Sequence, residues 1–146
     1  MLDKTNPSNG NESKYPTLFD LCKIENSDLE EVKNMKECYY KSINGTDTDI
    51  ALAIKAQLNS ELVYYDKMFY LWNSTTLLWE NICEELITSK VFDTLEEQYK
   101  QMLIRLDPES IDWELVNKVS IKIKFTAKRM AVLKSLKCYI YGASIY

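Results

Sequence analysis

The most regular hydrophobic pattern in the chain runs through its middle third. From Leu62 to Leu86, apolar and aromatic residues recur at alternating intervals of three and four positions, with Thr76 as the one polar member, and the same stripe begins upstream at Ile50. This spacing is typical of one face of an α-helix, and over several heptads it is typical of a coiled-coil seam. Together with a capping sequence that starts at Thr46, it predicts one long helix over about 48–90.

A second helical pattern occupies the last third of the chain. Asp107-Pro108 fits a helix start, with Asp107 as the N-cap and Pro108 at the first helical position. Apolar residues then recur at helical spacing as far as Leu133, and Gly142 follows as a stop signal. The pattern predicts a helix over about 108–140.

Two stretches within these patterns resist a simple helical interpretation. Residues Asn73 to Thr76 are four poor helix formers in a row, which indicates a kink in the long helix or a break into two helices. Residues Val119 to Phe125 alternate like a strand and are rich in β-branched side chains. We favour helix for this second stretch, because no partner strand is evident and helical spacing flanks it on both sides.

Shorter helices are predicted from capping signals. A capping box at Thr17 opens a helix over about 17–25, and a second at Ser27 opens one that ends at Asn44-Gly45. Gly45 suits the left-handed conformation that closes a helix. A further capping box at Asp93 opens another short helix.

Composition extends this pattern to a fold class. The chain holds only three glycines and three prolines, whereas sandwiches and barrels need many turns that use these residues. We therefore expect an all-α fold, a helical bundle built on the two long helices with shorter helices packed alongside. The polar segment 1–16 is predicted to be a flexible tail, and 17–146 a single helical domain.

The chemistry-bearing residues argue against catalysis. Histidine is absent, which excludes the usual histidine-dependent hydrolases, metalloproteases and di-iron sites, and no glycine-rich phosphate loop occurs. The pairs Glu84-Glu85 and Glu96-Glu97 are helical neighbours that point about 100° apart, as on a solvated face. We expect no enzyme activity, no catalytic residues, no metal site and no cofactor.

The cysteines and the apolar runs bear on the compartment. Cys22, Cys38, Cys83 and Cys138 form no CxxC pair, so we expect them to be reduced and mostly buried. No secretory leader and no run of about 18 apolar residues is present, which predicts no transmembrane segment. The expected location is intracellular, either cytoplasmic or nuclear.

The aromatic residues of the central helix suggest binding to another protein. Apolar side chains lie beside the seam as well as on it, so the helix must be covered, either by its own bundle or by another chain. Tyrosine and tryptophan are enriched at interfaces, and ten tyrosines favour an interface over a purely internal core or a ligand pocket. We therefore expect a non-enzymatic interaction subunit or adaptor of a larger complex, which binds a protein partner or itself. The candidate interface residues are Leu62, Tyr65, Phe69, Trp72, Trp79 and Leu86.

A basic C-terminal region supplies the alternative. From Leu115 onward the chain has seven basic and no acidic side chains, so 115–137 could bind nucleic acid or an acidic surface. The net charge of the whole chain is only −4, so the charge of this basic helix is nearly compensated if it packs beside the acidic helices of the same bundle. Nucleic acid is therefore the less favoured partner. The candidate polyanion contacts are Lys118, Lys122, Lys124, Lys128, Arg129, Lys134 and Lys137.

Overall fold

A computed structural model describes residues 14–58 and 60–141, which form a mixed α/β fold. Across these residues there are six helices and a three-stranded antiparallel sheet, so the predicted all-α bundle built on two long helices is wrong. The helices are α1 (Leu18–Leu21), α2 (Glu30–Ser42), α3 (Asp47–Leu58), α4 (Glu84–Arg105), α5 (Ile111–Lys122) and α6 (Thr126–Tyr139). The strands are β1 (Leu62–Tyr65), β2 (Met68–Asn73) and β3 (Leu78–Ile82), in the order β1-β2-β3.

The predicted helix over 48–90 is replaced by a helix, a sheet and the start of another helix. Its first part is α3 and its last part is the first turns of α4, but its middle forms the three strands. The physical reason is residue type: the stretch 62–72 contains five aromatic side chains and one valine, and these residue types prefer strands. Nearly every residue there is apolar, so the run fits both the three-and-four spacing of a helix and the alternation of a strand.

The first hairpin turn explains why the strands were missed. Asp66 and Lys67 have φ angles of 52° and 67°, both in the left-handed region, and they join β1 to β2 as a two-residue turn. Such turns match the twist of the flanking strands and are usually marked by Asn-Gly or Asp-Gly. Lysine in the glycine position leaves no hairpin signal in the sequence.

The second hairpin turn occupies the interruption noted at Asn73–Thr76. The Asn73 side-chain oxygen accepts hydrogen bonds from the backbone N–H groups of Thr75 and Thr76, at 2.9 and 3.1 Å. An asparagine that bonds the backbone ahead of it favours a turn over a helix. The break is therefore real, but it separates two strands and not two helices.

The predicted helix over 108–140 is also broken. It begins later, because Ser110 and not Asp107 is the N-cap, with its hydroxyl accepting from the Trp113 N–H at 3.1 Å. It then divides into α5 and α6 at residues 123–125. The preference for helix over strand holds from Val119 to Lys122, after which the chain turns.

The other capping signals gave mixed results. The box at Thr17 is present, although its helix ends at Leu21, and the Thr46 hydroxyl accepts from the Asp49 N–H at the start of α3. Gly45 has a φ of 84°, as predicted. The boxes at Ser27 and Asp93 are wrong, because Leu29 is the N-cap of α2 and Asp93 lies inside α4. Most of the predicted tail, and Gly142, lie outside the described residues.

The core lies between the helices and one face of the sheet. Helix α3 packs against α2 and α6, and α4 packs against α5 and contacts β2. The fully buried Tyr99 of α4 lies 2.6 Å from the Ser42 hydroxyl of α2. Because that hydroxyl donates to the Tyr39 carbonyl, the Tyr99 phenol is the donor to Ser42, and burial raises the pKa of Tyr99. Among the described helices, none is both long and apolar enough to cross a membrane.

The turn at Asp66-Lys67 generates a stability prediction. We expect Lys67→Gly to raise the free energy of unfolding by about 0.5–1 kcal/mol, because glycine adopts the left-handed conformation without the steric cost of a Cβ. Urea denaturation followed by circular dichroism measures the change. The matched control is Lys23→Gly, at an exposed lysine outside the left-handed region, which should be neutral or destabilising. Equal destabilisation by both substitutions would contradict the prediction.

Candidate functional site on the outer face of the sheet

The strand register divides the sheet into two faces. Leu62 is paired with Leu71, and Phe69 with Ile82, and these four side chains belong to the core or pack against it. Because side chains alternate along a strand, the residues between them point away from the core. We call this second surface the outer face; it carries Glu61, Val63, Tyr65, Met68, Tyr70, Trp72, Trp79 and Asn81.

A tryptophan pair lies at one end of the outer face. Trp72 and Trp79 are directly opposite each other in neighbouring strands, and their ring centroids are 5.3 Å apart at an interplanar angle of 65°. The Trp72 N–H donates to the Glu61 carbonyl on the other side, at 2.8 Å. Trp72 and Trp79 are therefore a non-hydrogen-bonded pair, the closer of the two pair types in an antiparallel ladder. An edge-to-face aromatic pair of this kind contributes about 0.5–1.5 kcal/mol beyond burial.

The outer face is only partly shielded from solvent. Trp72, Trp79 and Tyr70 are half-buried, and Met68 is 50% exposed. None of them belongs to the core cluster or to the side chains packed against it. A contiguous aromatic surface of this kind, outside the core, is a candidate for binding.

The sheet carries few charges, and most are acidic. Residues 61–82 contain Glu61, Asp66, Glu80 and only one cation, Lys67. Glu80 is exposed on edge strand β3, where its carboxylate accepts a hydrogen bond from the Asn73 side-chain amide at 2.9 Å. Phosphate groups need several cations, so the sheet does not suit a nucleic-acid backbone.

The structure divides the six residues predicted as an interface. Tyr65, Trp72 and Trp79 come together on the outer face. Leu62 and Phe69 are core residues, with 2% and 3% of their surface exposed. Leu86 is exposed on α4, outside the sheet.

Three further apolar or aromatic residues of the outer face were not among those predicted. Val63, Met68 and Tyr70 lie beside the helical seam and were interpreted as its flanks. The signal that identifies them is alternation, since 63 and 65 share one strand face and 68, 70 and 72 share the same face of the next strand.

Three of the seven basic candidates are held by interactions within the fold. Arg129 forms an ion pair with Glu96, donates to the Ile123 carbonyl at 2.7 Å and lies 5.0 Å from the centre of the Phe92 ring. Lys128 pairs with Asp47 at 2.6 Å and donates to the Gly45 carbonyl. Lys137 pairs with Glu84 at 2.9 Å, and its ammonium lies over the Tyr64 and Phe69 rings.

The other four basic candidates are Lys118, Lys122, Lys124 and Lys134, and they do not share one setting. Lys118 and Lys122 border a small cavity of about 80 Å³ beside Gly45, and a Cβ at Gly45 would lie 3.4 Å from the Lys122 ammonium. Lys124 lines a different groove, between α4 and α5. Within the described part of the chain, these four lysines form no ion pair.

The groove between α4 and α5 is lined by side chains of both charges. It has a volume of about 520 Å³ and is lined by carboxylates such as Glu96 and Glu97 as well as by Lys100 and Lys124. The interleaved charges of both signs are typical of a solvated surface. Among residues 14–58 and 60–141, no group of three or more side chains is placed to hold a metal ion. The expectation that the protein is not an enzyme stays a prediction.

The cysteines are less buried than expected. Cys22 is buried, and burial raises its pKa to about 11, whereas Cys83 and Cys138 are exposed. All four are free thiols. A high pKa keeps Cys22 in the unreactive thiol form at neutral pH.

The contacts of Arg129 predict a structural role for part of the basic region. We expect Arg129→Ala to lower the free energy of unfolding by about 2 kcal/mol, because it leaves the Glu96 carboxylate and the Ile123 carbonyl without their donor. The exposed Lys134 is the matched control, and Lys134→Ala should change stability by less than about 0.5 kcal/mol. Urea denaturation monitored by tryptophan fluorescence measures both. Equally small effects would show that the ion pair contributes nothing.

Comparison of the chain with protein-family models, with curated proteins and with solved structures found no match.

Proposed function

We propose that the protein is a non-enzymatic binding module, a subunit or adaptor that binds another protein through the outer face of its sheet. The observation that carries this proposal is the clustering of four aromatic side chains on one sheet face outside the core. They are Tyr65, Tyr70, Trp72 and Trp79.

The residue types on this face favour a protein as the ligand. Tyrosine and tryptophan provide a large apolar area with few rotatable bonds, so little entropy is lost when a partner orders them. The indole N–H groups of the two tryptophans can donate to main-chain carbonyls of a partner. The centre of a protein interface is depleted in charge, and Val63, Met68 and Tyr70 fit that description.

The charge of the sheet defines the partner further. Two negative charges remain after Lys67 is set against Glu61, Asp66 and Glu80. Because Glu61 lies on the outer face and Glu80 on the edge strand β3, a neutral or basic segment with an apolar anchor is favoured, whereas an acidic segment would be repelled.

The alternative function, polyanion binding by 115–137, has less support. Arg129, Lys128 and Lys137 are already paired with carboxylates of the same chain. Of the remaining four lysines, Lys118 and Lys122 border one cavity, whereas Lys124 lines a different one. No observation favours a polyanion over a protein partner, so we do not propose this function.

A binding experiment with matched variants tests the proposal. We expect the double variant Trp72→Thr/Trp79→Thr to bind its partner at least about 30-fold more weakly, because interface tryptophans commonly contribute 2 kcal/mol or more. Threonine keeps the strand preference of these positions. The control is Ile111→Thr, which exchanges one β-branched residue for another at a position that is 74% exposed at the start of α5. Quantitative mass spectrometry of affinity-purified complexes from the native cells measures the loss, and circular dichroism checks the fold of each variant.

Photo-crosslinking then locates the contact. A benzophenone amino acid at Met68 should capture the partners lost in the double variant, because Met68 is exposed on the outer face. The same amino acid at Ile111, exposed on α5, should not capture them. Unchanged binding by the double variant, or equal crosslinking from both positions, would contradict the proposed function.

A further inference from the structure

The two edges of the sheet differ. On the outer side of β1, the Tyr64 N–H donates to the Ile140 carbonyl at 2.9 Å, and Tyr64 forms a parallel bridge with Tyr141. On the outer side of β3, no strand pairs with the sheet anywhere in residues 14–58 and 60–141. Strand β3 is therefore the open edge.

The ladder shows which main-chain groups of β3 face outward. The Trp72 N–H donates to β1, so the main-chain groups of its neighbours Leu71 and Asn73 face β3. Leu71 and Asn73 are hydrogen-bonded to Glu80 and Leu78, so the alternate residues of β3 have main-chain groups that face away from β2. Trp79 and Asn81 therefore direct their N–H and C=O groups out of the sheet. The Asn81 side chain does not cover them, because its amide donates to the Phe69 carbonyl at 3.2 Å.

This edge has little of the usual protection against pairing. Natural edge strands are commonly blocked by proline, by charged side chains, by a bulge or by a covering segment. The sequence of β3 is LWENI, its register with β2 is unbroken, and Leu78 is 62% exposed. Its one charged residue is Glu80.

We propose that β3 accepts an extended segment of the partner protein as a fourth strand, with an apolar side chain beside Trp79 and a lysine or arginine opposite Glu80. This inference rests on the proposed function and specifies how the partner binds. The row formed by Trp72 and Trp79 then continues into the added strand, so the outer face and the open edge form one binding site. Opposite charges facing each other across strands are stabilising, which explains the basic residue.

A second copy of the chain does not fit this edge. Two β3 strands could pair antiparallel through their outward groups, and the register that pairs all five residues sets Trp79 opposite Asn81 of the other copy. That register also sets Glu80 opposite Glu80, and like charges directly opposite are destabilising. Registers that avoid this contact pair only part of the strand. The edge therefore favours a different, basic segment.

The test uses random 12-residue peptides displayed on phage, selected on the full chain. Selected peptides should contain lysine or arginine within an alternating apolar pattern, and their synthetic forms should lose affinity with Trp72→Thr/Trp79→Thr. Replacement of Glu80 by lysine (Glu80→Lys) should weaken these peptides and, in a new selection, favour acidic ones. Fluorescence anisotropy of the labelled peptides measures the affinities.

A matched pair of variants isolates the main-chain contact. Asn81→Pro removes the outward N–H, and proline is tolerated on an edge strand where the N–H is not part of the ladder. Asn81→Ala keeps that N–H, and both variants lose the side-chain bond to Phe69. We expect Asn81→Pro to weaken peptide binding by about 10-fold relative to Asn81→Ala.

Hydrogen exchange gives an independent measure of the added strand. In the free chain, the amides of Trp79 and Asn81 should exchange faster than the amide of Glu80, which bonds to β2. Bound peptide should protect the amides of Trp79 and Asn81.

The outcomes separate the two proposals. Peptides that need both tryptophans, but bind Asn81→Pro and Asn81→Ala equally and protect neither amide, would overturn strand addition and leave the proposed function standing. Selection of no tryptophan-dependent peptide would overturn strand addition, whereas the proposed function falls only if the complexes from native cells also survive Trp72→Thr/Trp79→Thr. If light scattering finds a dimer of the chain, and Asn81→Pro dissociates it, then a second copy and not a different protein occupies the edge, and the proposed occupant is overturned.

Discussion

The burial of Leu62 and Phe69 determines how the sheet is placed and which side chains it presents. These residues lie on neighbouring strands and enter the core together, where β2 contacts α4. Because successive side chains of a strand point to opposite faces, this burial leaves Tyr65, Tyr70 and Trp72 no position except the outer face. A slip of one residue in β2 would turn Trp72 inward and Phe69 outward, and the same slip in β1 would exchange the faces of Tyr65 and Leu62. The hydrophobic core and the aromatic surface are therefore set by the same register.

The C-terminal helix makes the sheet asymmetric. Lys137 of α6 forms an ion pair with Glu84 at the start of α4, and its ammonium covers the rings of Tyr64 and Phe69 on the inner face. Just beyond the helix, the Ile140 carbonyl accepts the outward N–H of β1. The end of α6 and the residues just beyond it thus cover the inner face and one edge of the sheet, and Tyr141 also contacts the Tyr65 ring on the outer face. Among the described residues, no such contact from this end reaches the tryptophan pair or the edge at β3. The basic charge of this region acts mainly within the fold at this end.

The heptad pattern explains why half of the candidate site could be predicted from the sequence. Residues that face each other across the two turns are separated by odd numbers of positions, as with Tyr65 and Met68 or Asn73 and Leu78. A spacing of seven therefore brings Tyr65, Trp72 and Trp79 to one surface in this sheet, as it would in a helix. Leu62 and Phe69 also differ by seven, but they occupy the opposite face. A helix would have placed both sets along one seam, whereas the sheet divides them between the core and the surface.

The elements that were predicted correctly depend on local signals. Thr17, Thr46 and Gly45 act at helix ends through bonds within a few residues, and such bonds can be identified without knowing the fold. The strands could not be found in this way, because an Asp-Lys turn carries no hairpin signal and an almost uniformly apolar run fits two periods. The open edge at β3 is even harder to predict from the sequence, because it depends on which strand α6 contacts in the folded protein.

The contact between Tyr64 and Ile140 has a consequence for the synthesis of the chain. The hairpins close over a few positions, and local hairpins form in about 1–10 μs, far faster than a ribosome adds residues. Ile140 and helix α6, which covers the inner face, emerge much later, since α4 and α5 lie between them and β3 along the chain. Until then the nascent sheet has two apolar faces and two open edges, which is the arrangement most prone to pairing with other chains. The interval before α6 docks is thus the stage of the protein's life at which aggregation competes most strongly with folding.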